Sequence, residues 1–155
     1  MKVLILYYSK TGHTLEAANA ISDGIKSGGS TSYIVSVDKF KSSILKKYDA
    51  IIVGSPCWAG VVSKNGVASP VTKTLNTLKG DSLKGKIGGG FAIEAIGGGI
   101  STVTTLGNIL TSKGCDKYIV GPIAKAGTVL SISKGHSVSK EDLEHYKTYG
   151  AEFSK

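Results

Sequence analysis

The sequence contains no arginine; all 19 of its basic residues are lysines. That excludes mechanisms built on a guanidinium fork, such as the cysteine–arginine phosphate loop and the arginine finger. Cysteine is nearly absent. Cys57 and Cys115 make neither a disulfide framework nor a zinc site, so a reduced, cytoplasmic setting is expected. The three histidines show no chelating spacing, and no metal is expected. No stretch approaches the ~18 consecutive apolar residues of a membrane span. The short apolar start, Met1–Tyr8, is not followed by a signal-peptide cleavage site, and no membrane insertion is expected. Acidic residues number only 11, which leaves a net charge of +8. The one dense basic group is Lys39, Lys41, Lys46 and Lys47. Aromatic residues do not interleave with it in a nucleic-acid-binding pattern, so it reads as a solvated surface. The charge permits an acidic protein partner.

What is present is a chain of 155 residues, 41% apolar, enough for a single domain over 1–155 with one sizeable core. Glycine is abundant, at 21 residues, and clusters at 88–90 and 97–99. Apolar runs at 3–8 and 50–53 read as buried strands, as in a parallel sheet, and 32–37, 87–93 and 118–120 read as further strands. Helical spacing links Leu15, Ala18, Ile21 and Ile25; then Val67, Val71, Leu75 and Leu78; then Val103, Leu106 and Leu110. Phe40, Ile44 and Tyr48 mark a short helix face, and Leu143, Tyr146, Gly150 and Phe153 a final helix with Ser139 as its cap. Strands and helices thus alternate. That predicts an α/β three-layer sandwich, a parallel sheet with helices on both faces. Ligands of such sheets bind at the carboxyl ends of the strands, at a topological switch point. Three loops lie there.

The first, Ser9-Lys10-Thr11-Gly12-His13-Thr14, offers three hydroxyls and a glycine at the start of a helix, where unpaired amides and the helix dipole favour an anion. The alternative is a plain polar turn. The second, Ser55-Pro56-Cys57-Trp58-Ala59-Gly60, carries the only tryptophan, whose face can stack on a flat heterocycle or pack on a helix. The third, Glu94-Ala95-Ile96-Gly97-Gly98-Gly99, is pliable enough to run along a ligand edge. The stretch Gly80–Ile87 imitates a P-loop. It ends in Ile87 where a hydroxyl is required, and it precedes a strand instead of following one. Together the three loops suit a phosphorylated planar ligand, of which FMN is the natural candidate.

On these residues the sequence resembles the flavodoxin family. Residues 9–14 resemble its phosphate signature, and Tyr48–Pro56 its third strand and the start of its ring loop. Gly98–Leu106 and Ser139–Leu143 are similar to the family's quinone-reductase branch, the Trp-repressor-binding-protein-like enzymes. The resemblance implies a five-stranded sheet in order 2-1-3-4-5 and non-covalent FMN. The phosphate would lie on residues 9–14, and the ring between 55–60 and 94–99. It implies either an electron carrier serving a redox partner protein, or an enzyme passing electrons from NAD(P)H to a small quinone. A flavin-free interaction module is a third reading. No catalytic side chain is assigned, because the flavin would do the chemistry. Cys57 reads as a small filler or a redox thiol, His13 as a ligand contact or a solvent-exposed residue, and Glu94 as facing the ring or solvated. Homo-oligomerisation is left open.

Overall fold

The computed structural model describes residues 1–57, 65–127 and 135–155. Val3, Leu4, Ile5 and Leu6 are all fully buried. Successive strand residues point to opposite faces, so a strand of this kind must be covered on both sides. It forms β1 (Lys2–Tyr7), at the inside of a sheet completed by β2 (Thr31–Ser36), β3 (Ala50–Pro56), β4 (Ile87–Glu94) and β5 (Lys117–Lys125). All pairings are parallel and the order is β2-β1-β3-β4-β5. Among the described residues the α-helices are α1 (His13–Ser27), α2 (Ser69–Asn76), α3 (Gly99–Ser112) and α4 (Lys140–Phe153).

The pleat sorts the core into two halves. Val3, Ile5 and Ile52 pack with Ile21 and Ile25 of α1 and with Tyr146 and Phe153 of α4. Leu4, Leu6, Ile51 and Val53 pack with Val71 and Leu75 of α2 and Leu106 and Leu110 of α3. Among the described residues, no helix is long and apolar enough to cross a membrane. The cap predicted for α4 forms: the Asp142 amide donates to Ser139 Oγ at 3.1 Å, and that hydroxyl donates to the Asp142 carboxylate at 2.9 Å.

Three elements differ from the sequence expectation. Residues Ser42–Lys47 form a 3-10 helix, too short to extend the Phe40–Tyr48 stripe into α-helix. Val67 lies before α2, bridging Cys57 in antiparallel fashion. β5 runs well beyond residue 120, through Gly121 and Pro122. It tolerates a proline because it is an edge strand. Gly90 sits opposite Val120 while Ala92 sits opposite Ile123, so the extra residue is taken up as a bulge. The three glycines of β4 leave room for neighbours: a Cβ on Gly89 would come within 2.4 Å of the Tyr149 hydroxyl, and one on Gly90 within 2.3 Å of the Tyr118 hydroxyl.

Candidate functional site

The parallel register aligns the carboxyl ends of three strands: Tyr7 faces Gly54, and Gly54 faces Phe91. The loops leaving β1, β3 and β4 therefore start at one level of one sheet edge. β1 leads into α1 and β3 into α2, on opposite faces of the sheet. The crevice between β1 and β3 is thus the switch point.

The first loop is folded by its own side chain. The Gly12 amide donates to Ser9 Oγ at 2.9 Å. Gly12 takes a left-handed conformation, φ 97°, and forms the N-cap of α1, its carbonyl accepting from the Glu16 amide at 3.0 Å. A Cβ there would meet nothing within 4 Å. The space above this turn is therefore open, beside a helix start whose first amides lack intrahelical partners. That is a cradle in which a phosphate can approach backbone closely. Thr14 is buried in the first helical turn. His13 is only 3% exposed, with Nδ1 3.7 Å from the Glu16 carboxylate, so the solvent-exposed alternative does not hold. Glu16 also accepts from the Val138 amide at 3.3 Å, which ties the segment entering α4 to the start of α1.

The second loop is closed at its base. Ser55 is fully buried. Its hydroxyl accepts from the Ala68 amide at 2.9 Å and donates to the Pro56 carbonyl at 2.8 Å, spanning the two ends of the loop. Cys57 continues the pairing, its amide donating to the Ile93 carbonyl at 2.7 Å. Of the residues expected to meet the ring, Trp58, Ala59 and Gly60 lie outside the described residues.

The third loop meets the second directly. The Cys57 thiol donates to the Gly97 carbonyl at 3.2 Å. Gly98, φ 93°, is the N-cap of α3. Glu94 takes neither expected role in full: its carboxylate accepts from the Gly99 amide at 2.7 Å, capping α3 and placing negative charge at a helix N-terminus. Gly97 has open space on its Cβ side, and Ile96 is 68% exposed. A pliable backbone edge with an apolar rim is the result.

Sequence reasoning missed Gly66 and Thr102. The Thr102 hydroxyl donates to the Gly98 carbonyl at 3.1 Å. Gly66, φ 77°, lies so close that a Cβ on it would come within 2.5 Å of that hydroxyl. This contact seats the returning end of the second loop on the start of α3. The Asn65-Gly66 turn signal was the available clue. The structure thus brings the described parts of the second and third loops together and sets the first beside them across the switch point. The residues present fit a phosphorylated planar group, whose anion would take the Gly12 turn and whose flat part would lie along the open backbone edge at Gly97.

Fold and loops together define a doubly wound α/β protein whose loops gather at the switch point of a five-stranded parallel sheet. The family model described as flavodoxin matches residues 5–102. A flavodoxin from Clostridium saccharobutylicum is 28% identical over 97% of this chain and 93% of its own length. An NAD(P)H dehydrogenase (quinone) from Nitrobacter winogradskyi is 32% identical over 72% of this chain. That match takes in only 65% of the Nitrobacter protein, so the chain spans about two thirds of that relative. Oxidised flavodoxin 2 from Bacillus cereus superposes with a TM-score of 0.76 at 21% identity, covering 99% of this chain and 98% of the other. The chain belongs to the flavodoxin family, a family of flavin-dependent redox proteins.

Proposed function

We propose that this protein binds FMN non-covalently and carries electrons between partner proteins in the cytoplasm, as one flavodoxin-like domain over 1–155. The observation that carries this reading is the Ser9–Gly12 turn: a left-handed glycine with open space above it, capping the helix that follows the first central strand. Ser9, Lys10, Thr11, Gly12, His13 and Thr14 would hold the phosphate. Residues 55–60 and 94–99 would enclose the ring. The bound flavin supplies reversible electron uptake. The chain's own residues orient it, shield it from water and set its electrostatic surroundings.

Within this scheme Ser9 holds Gly12 in its turn, and Glu94 fixes the third loop by holding the Gly99 amide. Cys57 joins the two ring loops and is thereby a positioning residue. The likeness to flavodoxins along the whole of both chains, in sequence and in fold, supports the carrier reading; an archaeal quinone dehydrogenase is matched over a similar span, so the assay below decides between the two. The lysine-rich charge suits an acidic redox partner.

The second reading, an NAD(P)H:quinone oxidoreductase, is supported by that dehydrogenase likeness. Oxidation of NADH and NADPH in the presence of benzoquinone separates the two. A carrier adds no turnover beyond that of free FMN at equal concentration. Saturable turnover with either nucleotide establishes the enzyme instead.

A further inference from the structure

Beside β2, at the outer edge of the sheet, lies a hollow of about 220 Å³. Its floor is Val35 and Ile44, and its walls are Tyr33, Tyr48, Lys39, Lys41 and Lys47. Tyr33 stands on the edge strand β2 and is 52% exposed. Its ring stacks on that of Tyr48, with centroids 6.3 Å apart and planes 17° from parallel. Tyr48 ends the 3-10 helix, and its backbone carbonyl accepts from the Lys86 ammonium, which anchors the main chain that carries the ring.

The charged residues that line the hollow are all lysines. No ion pair joins Lys39, Lys41, Lys46 or Lys47 to a carboxylate among the described residues. The nearby acids are engaged: Asp49 accepts from the Lys2 backbone amide at 2.7 Å, and Asp38 bonds Ser36 and its own backbone, with Lys39 close by. Burial and the neighbouring Tyr33 push the Tyr48 phenol up, which keeps it a neutral hydrogen-bond donor. Lysines beside an edge strand discourage pairing with another sheet. That role does not require three of them to line one hollow with a stacked ring pair.

We propose that this hollow is a second binding site, for a nucleoside phosphate, separate from the loops assigned to FMN. Its base lies on the tyrosine pair and its phosphates between Lys39, Lys41 and Lys47. A compact multivalent anion fits three lysines lining one small hollow better than an acidic peptide, whose carboxylates are spread along a chain. The volume lies below the ~300–1,000 Å³ of sites that enclose whole ligands. Only part of the nucleotide is therefore seated, and the rest remains over the lysines in solvent. The sequence alone did not suggest this, because Tyr33 and Tyr48 flank the lysine group at a distance and meet only in the fold.

The test is calorimetric titration of the whole protein, kept in excess FMN, with ADP, pyrophosphate and hexaglutamate as separate probes. The proposal expects one saturable ADP site, weakened at least tenfold in a Lys39→Gln, Lys41→Gln, Lys47→Gln variant. Tyr33→Ala should weaken ADP several-fold while leaving pyrophosphate unchanged, and wild type should bind pyrophosphate less tightly than ADP. All four positions are solvent-exposed, so the variants should keep the wild-type melting temperature. Any of three results overturns the proposal. ADP fails to saturate or is indifferent to the lysine variant; pyrophosphate binds as tightly as ADP, marking a bare anion patch; or hexaglutamate binds more tightly than ADP, marking a protein-docking surface.

Discussion

Gly12 is the residue on which the site turns. Its φ of 97° costs a side-chain-bearing residue roughly 1–2 kcal/mol. A Cβ there also points into the open space that a ligand phosphate would occupy. Gly12→Ala should lower stability by about 1 kcal/mol and weaken FMN by about tenfold or more, since ~1.4 kcal/mol corresponds to one decade. Denaturant unfolding and a flavin titration of the variant check both halves. Unchanged FMN affinity would place the phosphate elsewhere. The loop's chemistry was legible in the sequence because hydroxyls, a glycine and a helix start are local signals. The fates of Ser55 and Glu94 were not. Whether a hydroxyl contacts a ligand or closes a loop depends on where Ala68 lands, thirteen positions later. Likewise Glu94 became a helix cap because the chain doubles back within five residues, a backbone geometry that composition does not specify.

At the scale of elements, α1 and α4 touch backbone to backbone. A Cβ on Gly150 would come within 2.1 Å of the Ile21 carbonyl oxygen, and one on Gly24 within 1.9 Å of the Lys147 carbonyl oxygen. Neither obstacle is a flexible side-chain tip. Gly150→Ala should therefore destabilise the fold by about 1–3 kcal/mol through overpacking, visible as a lower melting temperature. Were the variant as stable as wild type, the helices could not be so close. The aromatic residues behind β4 give a pH signature. Burial pushes the Tyr146 and Tyr149 phenols up, and their hydroxyls donate to the carbonyls of Ala92 and Ile119. Above the ordinary tyrosine value near 10, the unfolded chain releases these protons and the folded chain keeps them. Their contribution is thus complete below about pH 10 and lost as pH rises, by up to about 1.4 kcal/mol per pH unit for each tyrosine. Urea unfolding at pH 8, 10 and 11 should show this fall, and Tyr149→Phe should lessen it; a flat profile would contradict it. The strands β1–β5 and the helices α1–α4 were readable from period and punctuation. β5 was read short because Gly121-Pro122 signals a break, which a bulge at a sheet edge absorbs.

For the molecule as a whole, charge distinguishes this chain. Anionic surroundings oppose adding electrons to a flavin, and a protein of net charge +8 supplies fewer of them. The screening length of ~8 Å at physiological salt limits the effect without removing it. The bound flavin should be fully reduced at a higher potential than in acidic flavodoxins, measurable by redox titration against dyes. A potential as low as theirs would show that local contacts dominate over net charge. The resemblance to the family supplied the strand order, and the alternation of strands and helices made the parallel sheet and its ligand-binding edge accessible from sequence. The lysine and tyrosine hollow was not, since it joins β2 to the end of the 3-10 helix across a turn.

The most direct test of the central claim is titration of FMN with the flavin-free protein, followed by flavin fluorescence. The three-loop site predicts strong quenching, one FMN per chain and a dissociation constant at or below the micromolar range. A protein that is folded by circular dichroism yet leaves the fluorescence unquenched would contradict the account, and would leave a flavodoxin fold that serves as an interaction module.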